Sequence, residues 1–85
     1  QRKIKTSQLN DLLQKAIERN PPPAHRGKYI KIKYITQLPT YYPAFAFFCN
    51  YPKHMRENYR NFLENTLRKH FNFTGTPIGI FFRKK

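Results

Sequence analysis

The chain has little of several residue types, and each scarcity excludes a class of function. Its 85 residues include one cysteine, three glycines and four acidic residues. A single cysteine forms no internal disulfide, and the three histidines do not fall at the spacing of a metal site. Four carboxylates spread over two helical segments offer no acid/base pair for catalysis. Cys49 lies in the most apolar stretch, where we expect a buried thiol rather than a nucleophile.

Nucleotide-binding and membrane signals are also missing from these residues. No G-x-x-x-x-G-K followed by Ser or Thr occurs, so the chain does not cradle a nucleoside triphosphate in the manner of a P-loop. No run of about 18 apolar residues occurs, so a transmembrane helix is not expected, and no signal-peptide pattern is visible. Together with the lone cysteine, these features predict a cytoplasmic protein without a membrane partner and without enzymatic activity in this chain.

The positive charge is large and unevenly placed. The sequence contains seventeen Lys and Arg residues and four Asp and Glu residues, which gives a formal net charge of +13. The four acids are confined to the two predicted helices, and residues 19–56 and 65–85 contain none. The strands, loops and tail are therefore purely cationic. Such a surface attracts polyanions and releases counterions on contact with a phosphate backbone, which predicts nucleic-acid or ribosome association.

The hydrophobic pattern predicts five elements in the order α-β-β-α-β. Apolar residues at helical spacing predict one helix through Leu9–Ile17 and a second through Tyr59–His70. Alternation predicts a strand over Lys28–Gln37, and Ile78–Phe82 reads as another strand. Ala44–Cys49 is apolar on both faces, which is typical of a central strand.

These elements predict an α+β fold with a three-stranded mixed sheet of order 1-2-3. The second strand, second helix and third strand form a crossover, so the third strand should run parallel to the second. Both helices should cover one sheet face. In the first strand we expect Ile30, Ile32 and Tyr34 on the helix side, and Lys31 and Lys33 on the opposite, basic side.

Residues 62–78, FLENTLRKHFNFTGTPI, carry the most specific pattern of the chain. The segment resembles the C-terminal KH-like domain of Der, also called EngA, the bacterial GTPase family with two tandem G domains. The usual family pattern there is L-E-N-x-L-R-x-x-F-x-F-x-G-T-P-I. Further matches follow in the same order: TSQLN at 6–10, NPPP at 20–23, KIKY at 31–34, and NYP at 50–52 where the family usually has Asn-Asp-Pro.

The resemblance implies a non-catalytic KH-like docking domain of a GTPase that acts in assembly of the large (50S) ribosomal subunit. Residues 6–85 would form this domain, and residues 1–5 would be a linker from an upstream G domain. The implied partners are the protein's own G domains and the large subunit with its rRNA, and the isolated domain should be a monomer. GTP and Mg²⁺ would belong to the G domains, with no cofactor in this chain.

One departure from RNA-binding KH domains affects the expected mode of binding. Such domains clamp a nucleotide backbone with a GXXG loop, but the corresponding residues 50–56 contain no glycine, and Gly75 is interpreted as a helix-exit residue. Contact would then depend on loop tyrosines that stack on bases, at positions 41, 42 and 51, and on charge. The candidate contact residues for RNA, ribosome or G domains are Arg26, Lys28, Lys31, Lys33, Lys53, Arg56, Arg83, Lys84 and Lys85.

Two alternatives stay open from the residues. A stand-alone KH-like RNA-binding or ribosomal protein would have the same charge and size. A pure protein–protein interaction module, whose sheet face binds other domains while its charge is incidental, would have the same apolar pattern.

Overall fold

A computed structural model describes residues 3–85, and its elements follow the predicted order. The elements are α1 Thr6–Arg19, β1 Ile32–Gln37, β2 Ala44–Cys49, a one-turn 3₁₀ helix Pro52–His54, α2 Glu57–Phe71 and β3 Gly79–Lys84. The sheet has the order β1-β2-β3, with β2 antiparallel to β1 and parallel to β3. The predicted α+β fold, the central position of β2 and the parallel crossover are confirmed.

The core lies between the sheet and the two helices. Phe45 and Phe47 of β2 are fully buried, and Phe47 meets Leu63 of α2 in the middle of the interface. The Tyr59 hydroxyl donates a 2.7 Å hydrogen bond to the carbonyl of Asn20, which ties α2 to the end of α1, and burial raises the pKa of Tyr59 to about 12. The buried helical positions recur every three or four residues, as predicted: Leu9, Leu13 and Ala16 in α1, and Tyr59, Leu63, Leu67 and Phe71 in α2.

A β-bulge in β1 changes the predicted side-chain faces. Ile32 pairs with Cys49, but Tyr34 already pairs with Phe48, so Lys33 is an extra residue on β1. Ile32 and Ile35 both enter the core, and the two residues between them lie on the other side. The prediction that Tyr34 shares the helix-facing side with Ile32 is therefore wrong, because the bulge shifts the alternation by one residue.

The first strand is also shorter than predicted, because the residues before it form a separate turn. Residues 25–28 form a tight hairpin, in which His25 and Lys28 exchange two backbone hydrogen bonds of 2.9 Å. Its central residues, Arg26 and Gly27, both have positive φ, the requirement of a type I′ turn. The predicted strand start at Lys28 is wrong for this reason, and β1 begins at Ile32.

A left-handed residue ends α2 before the predicted glycine. Asn72 has φ 57° and caps the helix, with its N–H bonded to the Arg68 carbonyl. Gly75, at φ 78°, lies in the next turn. Asparagine is the residue other than glycine that most readily adopts this conformation, so the interpretation of Gly75 as the helix-exit residue is wrong by three positions.

Candidate docking and nucleic-acid interface

The sheet face opposite the helices carries an aromatic surface. We call it the open face. Tyr34 and Phe48, which are neighbours across β1 and β2, stack with ring centroids 4.7 Å apart and an interplanar angle of 16°. Phe81 projects from β3 on the same side, because it pairs with Ala46, and is 41% exposed. The open face consists of Tyr34, Thr36, Ala44, Ala46, Phe48, Gly79, Phe81 and Arg83.

Small residues let aromatic rings lie across this face. A Cβ added to Gly79 would lie 2.9 Å from a ring carbon of Phe81 and 3.1 Å from one of Tyr42. Both neighbouring alanines of β2, Ala44 and Ala46, are fully covered. Tyr42, predicted as a stacking residue, packs at this end of the open face, whereas Tyr41, in the connection between β1 and β2, is 91% exposed.

Cations border the aromatic surface. Arg83 pairs with Phe48 across β2 and β3, and the Lys85 ammonium lies 5.6 Å from the centroid of the Tyr34 ring. Lys33 occupies the bulge next to Tyr34. An ammonium over an exposed aromatic face contributes about 0.5–1 kcal/mol, and the same two groups present both a π surface and a charge to a partner.

A second basic cluster surrounds Tyr51, at the end of the sheet where β2 leads into the 3₁₀ turn. The ammonium groups of Lys28 and Lys84 lie 5.5 and 5.8 Å from the Tyr51 ring centroid. A cleft of about 270 Å³ opens beside the ring, and we call it the Tyr51 cleft. It is lined by Asn50, Tyr51, Pro52, Lys53, His54 and Lys84.

Arg56 is held by a histidine rather than by a carboxylate. Its Nη1 donates to Nδ1 of His25 over 3.0 Å, so that nitrogen must be unprotonated. Partial burial lowers the pKa of His25, and the positive charges of Arg56, His54 and Arg26 lower it further. His25 is therefore a neutral acceptor at pH 7, and it orients the Arg56 guanidinium without neutralising it.

The structure places all nine predicted contact residues on the surface. Within residues 3–85, the ion pairs are those of Glu64 with Arg60 and Arg68, so none of the nine is paired with a carboxylate. They fall into three groups: Lys31, Lys33, Arg83 and Lys85 on or next to the open face, Lys28, Lys53 and Lys84 around the Tyr51 ring, and Arg26 and Arg56 beside His25.

The described residues do not form a catalytic arrangement of known type. Cys49 is fully buried, and burial raises the pKa of its thiol, although a hydrogen bond with the Tyr51 backbone opposes this effect. Residues 3–85 contain no group of three metal-ligating side chains close enough to hold an ion. None of the helices in this part of the chain has the length and apolarity needed to cross a bilayer.

The comparison with protein families decides what kind of domain this is. Residues 3–83 match the model of the KH-domain-like region of EngA bacterial GTPase enzymes, C-terminal. The chain belongs to this family. It corresponds to the C-terminal KH-like domain of such a GTPase, and the G domains that hydrolyse nucleotide are separate from it. The absence of a P-loop motif from residues 1–85 agrees with this assignment.

More than half of the aligned residues of the chain are identical in each of three curated relatives. It is 62% identical over 84 residues to the GTPase Der of Christiangramia forsetii, 56% identical to that of Cytophaga hutchinsonii and 55% identical to that of Porphyromonas gingivalis. These alignments cover 98–99% of the chain but 19% of each relative. The chain thus spans about a fifth of the length of the proteins it matches.

Proposed function

We propose that this chain is the non-catalytic docking domain of a GTPase that acts in assembly of the large ribosomal subunit. Its own G domains and the large subunit with its rRNA are the partners. The single observation that supports this role most is the open face, because an aromatic surface bordered by unpaired cations is suited to a macromolecular partner. The family to which the chain belongs identifies the kind of protein in which that partner is found.

The occupant of the open face is a G domain in one nucleotide state and the ribosomal particle in another. The relatives' names make them GTPases, and about four-fifths of their length lies outside the aligned part. That length is enough to supply a surface against which the sheet packs. GTP and Mg²⁺ belong to the G domains, since residues 1–85 contain no loop to hold a triphosphate. The protein acts in the cytoplasm.

Residues 1–5 serve in this proposal as the linker to the preceding G domain. Gln1 and Arg2 lie outside the described residues. Ile4, in contrast, is buried against the core, and its N–H donates to the Gln37 side chain over 2.7 Å. The chain therefore enters the domain along the end of β1, which gives an upstream domain a fixed point of attachment.

Oxidative footprinting of the full-length GTPase tests the docking proposal. Hydroxyl radicals should modify Tyr34 and Phe81 more slowly in the full-length protein than in the 85-residue chain, because the open face is covered. Tyr41, which is exposed in the connection between β1 and β2, serves as the control and should react equally in the full-length protein and in the 85-residue chain. Reactivity of Tyr34 and Phe81 in the full-length protein as high as in the 85-residue chain, with GDP, with GTP and with ribosomal particles alike, would overturn the proposal.

A further inference from the structure

Lysines from three separate parts of the chain lie around Tyr51. Lys53 of the 3₁₀ turn and Lys84 at the end of β3 line the Tyr51 cleft, and Lys28 of the tight hairpin before β1 lies near the Tyr51 ring. The fold therefore brings these charges together. The Tyr51 ring also stacks on His54 at a centroid distance of 5.6 Å and an interplanar angle of 15°, which holds the ring in place.

The electrostatics of the cleft favour an anion. Lys53 and Lys84 line it, the Lys28 ammonium lies 5.5 Å from the Tyr51 ring centroid, and within residues 3–85 none of the three is paired with a carboxylate. The ammonium groups of Lys28 and Lys84 are held near one aromatic ring, where the attraction of an exposed cation to the ring is about 0.5–1 kcal/mol. Each ammonium offers three donors, which suits the oxygens of a phosphate.

One polar atom of the 3₁₀ turn, in the His54 ring, lacks a hydrogen-bond partner among the described residues. Nδ1 of His54 is buried and has no hydrogen-bond partner in the described part of the chain. Buried polar atoms without a partner are uncommon, and this ring lies against both Tyr51 and His25. Because His54 lines the cleft, a ligand that enters the cleft lies close to this ring.

We propose that the Tyr51 cleft binds a phosphate group, and that its ligand is a backbone phosphate of single-stranded RNA. Lys84 borders the cleft, and the next residue, Lys85, lies over Tyr34 on the open face. Consecutive residues of a strand project to opposite faces, so the cleft and the aromatic surface lie on the two sides of the sheet at the end of β3, where one nucleotide chain can contact both. A nucleotide chain presents this combination of charge and flat ring, whereas a free phosphate uses the cleft alone.

This phosphate site needs no glycine. In a GXXG loop, the glycines let a phosphate approach the main chain closely. At the 3₁₀ turn, side-chain ammonium groups contact the phosphate instead, so the missing GXXG sequence does not prevent phosphate binding. The inference rests on the proposed function for its partner class, RNA. Its test uses the 85-residue chain without ribosomes or G domains, so either proposal can fail while the other stands.

Fluorescence anisotropy with a labelled oligouridylate of about eight nucleotides, within the range that a small domain covers, tests the site. The variant Lys28→Gln/Lys84→Gln should bind about tenfold or more weakly at low salt, as loss of charge-assisted contacts predicts. Its plot of log affinity against log salt should be less steep by about 0.7 for each lysine, the value for a phosphate contact on a single strand.

The matched control removes the same charge elsewhere. Lys15→Gln/Lys69→Gln changes two exposed lysines of α1 and α2 and should retain the wild-type slope. Tyr51→Phe should bind as the wild type does, and Tyr51→Ala should lose affinity because the lysines lose their support. Thermal melts verify that each variant is folded. Equal losses in the two double variants would overturn the site and leave only non-specific attraction.

Inorganic phosphate distinguishes the two sources of the ligand. In an NMR titration, phosphate should shift the ring signals of Tyr51 and His54 in the wild type and not in Lys28→Gln/Lys84→Gln. The oligouridylate should shift the same signals at a lower concentration and should also shift Tyr34. Phosphate binding as tight as that of the oligonucleotide would contradict RNA as the ligand, and no shift with either would contradict the phosphate site.

Discussion

Glu64 forms two ion pairs within α2. It accepts hydrogen bonds from Arg60 at 2.8 Å and from Arg68 at 2.9 Å, one turn away on either side. Arg68 in turn donates to the carbonyls of Phe73 and Thr76, so the pair also fixes the turn that leads to β3. Residues four apart on a helix lie on the same face, which is the spacing that both ion pairs have.

The stability contribution of Glu64 should depend on pH. Partial burial alone would raise the pKa of Glu64, but hydrogen bonds and charge from Arg68 and Arg60 outweigh it and lower the pKa below 4.5. The contribution is therefore complete above about pH 4.5 and disappears as the pH falls through the folded-state pKa. Glu64→Gln should cost about 0.5–1 kcal/mol at pH 7 and almost nothing at low pH.

Urea unfolding of wild type and Glu64→Gln at several pH values measures this dependence. Glu57→Gln is the control, since Glu57 lies exposed in the first turn of the same helix and forms no ion pair within residues 3–85. A stability difference for Glu64→Gln that is constant from pH 7 to pH 3 would contradict the assigned role.

Leu63 is one of the buried residues through which α2 packs on the sheet. It is 2% exposed and meets Phe47 between β2 and α2. Leu63→Ala should lower the free energy of unfolding by about 2–5 kcal/mol through lost burial and the cavity left behind. Asn61→Ala, at an exposed position two residues earlier, should change it little. Equal melting temperatures for the two variants would show that the helix face is wrongly assigned.

At the scale of elements, periodicity predicts much of the fold. Helical spacing identifies the buried faces of α1 and α2, and two-sided apolarity identifies β2 as the central strand. The bulge at Lys33 is not predictable in this way, because an inserted residue leaves no mark in local composition. The hairpin at 25–28 carries a signal, since Arg-Gly can form a type I′ turn, but the alternation that follows obscures it.

For the candidate site, the sequence predicts which residues are exposed but not how they are grouped. The nine cations lie on the surface, as expected of charged residues in loops and strand ends, which are rarely buried. Their grouping around Tyr51 and Tyr34 depends on contacts between residues far apart in sequence, such as Lys28 with Tyr51 and Lys85 with Tyr34. No local pattern in one sequence reports such pairs, so the clusters emerge only from the fold.

One element contact that the sequence does not reveal joins α1 to the outer edge of β1. The Asn10 side chain accepts a hydrogen bond from the N–H of Ile35 and donates one to its carbonyl, both at 3.0 Å. The amide thereby takes the place of a neighbouring strand and covers an edge that would otherwise be free to pair with another chain.

Asn10→Ala should destabilise the domain by about 1–3 kcal/mol, since it leaves two partly buried backbone groups of Ile35 without partners. Asn10→Asp should also destabilise it, because a carboxylate accepts from the N–H but repels the carbonyl. Chemical denaturation gives both values, and amide hydrogen exchange at Ile35 should become faster in both variants. Unchanged exchange at Ile35 would contradict the bridging role.

On the scale of the whole molecule, charge and shape divide into two sides. The helix side carries the four acidic residues and the ion pairs of Glu64, whereas the open face and the Tyr51 cleft carry cations without carboxylate partners among residues 3–85. A uniform positive charge would attract RNA from every direction. The observed distribution orients the domain, with its aromatic and basic side toward a phosphate-rich partner.

Sedimentation of the full-length GTPase with large ribosomal subunits in the presence of GTP tests the docking role most directly. Lys31→Glu/Lys33→Glu reverses two exposed charges beside the open face, and Lys15→Glu/Lys69→Glu reverses two on the helices as a matched control. The first variant should lose most of its association with the subunit, the control should keep it, and both should melt as the wild type does. Wild-type association of the Lys31→Glu/Lys33→Glu variant would contradict docking through this face.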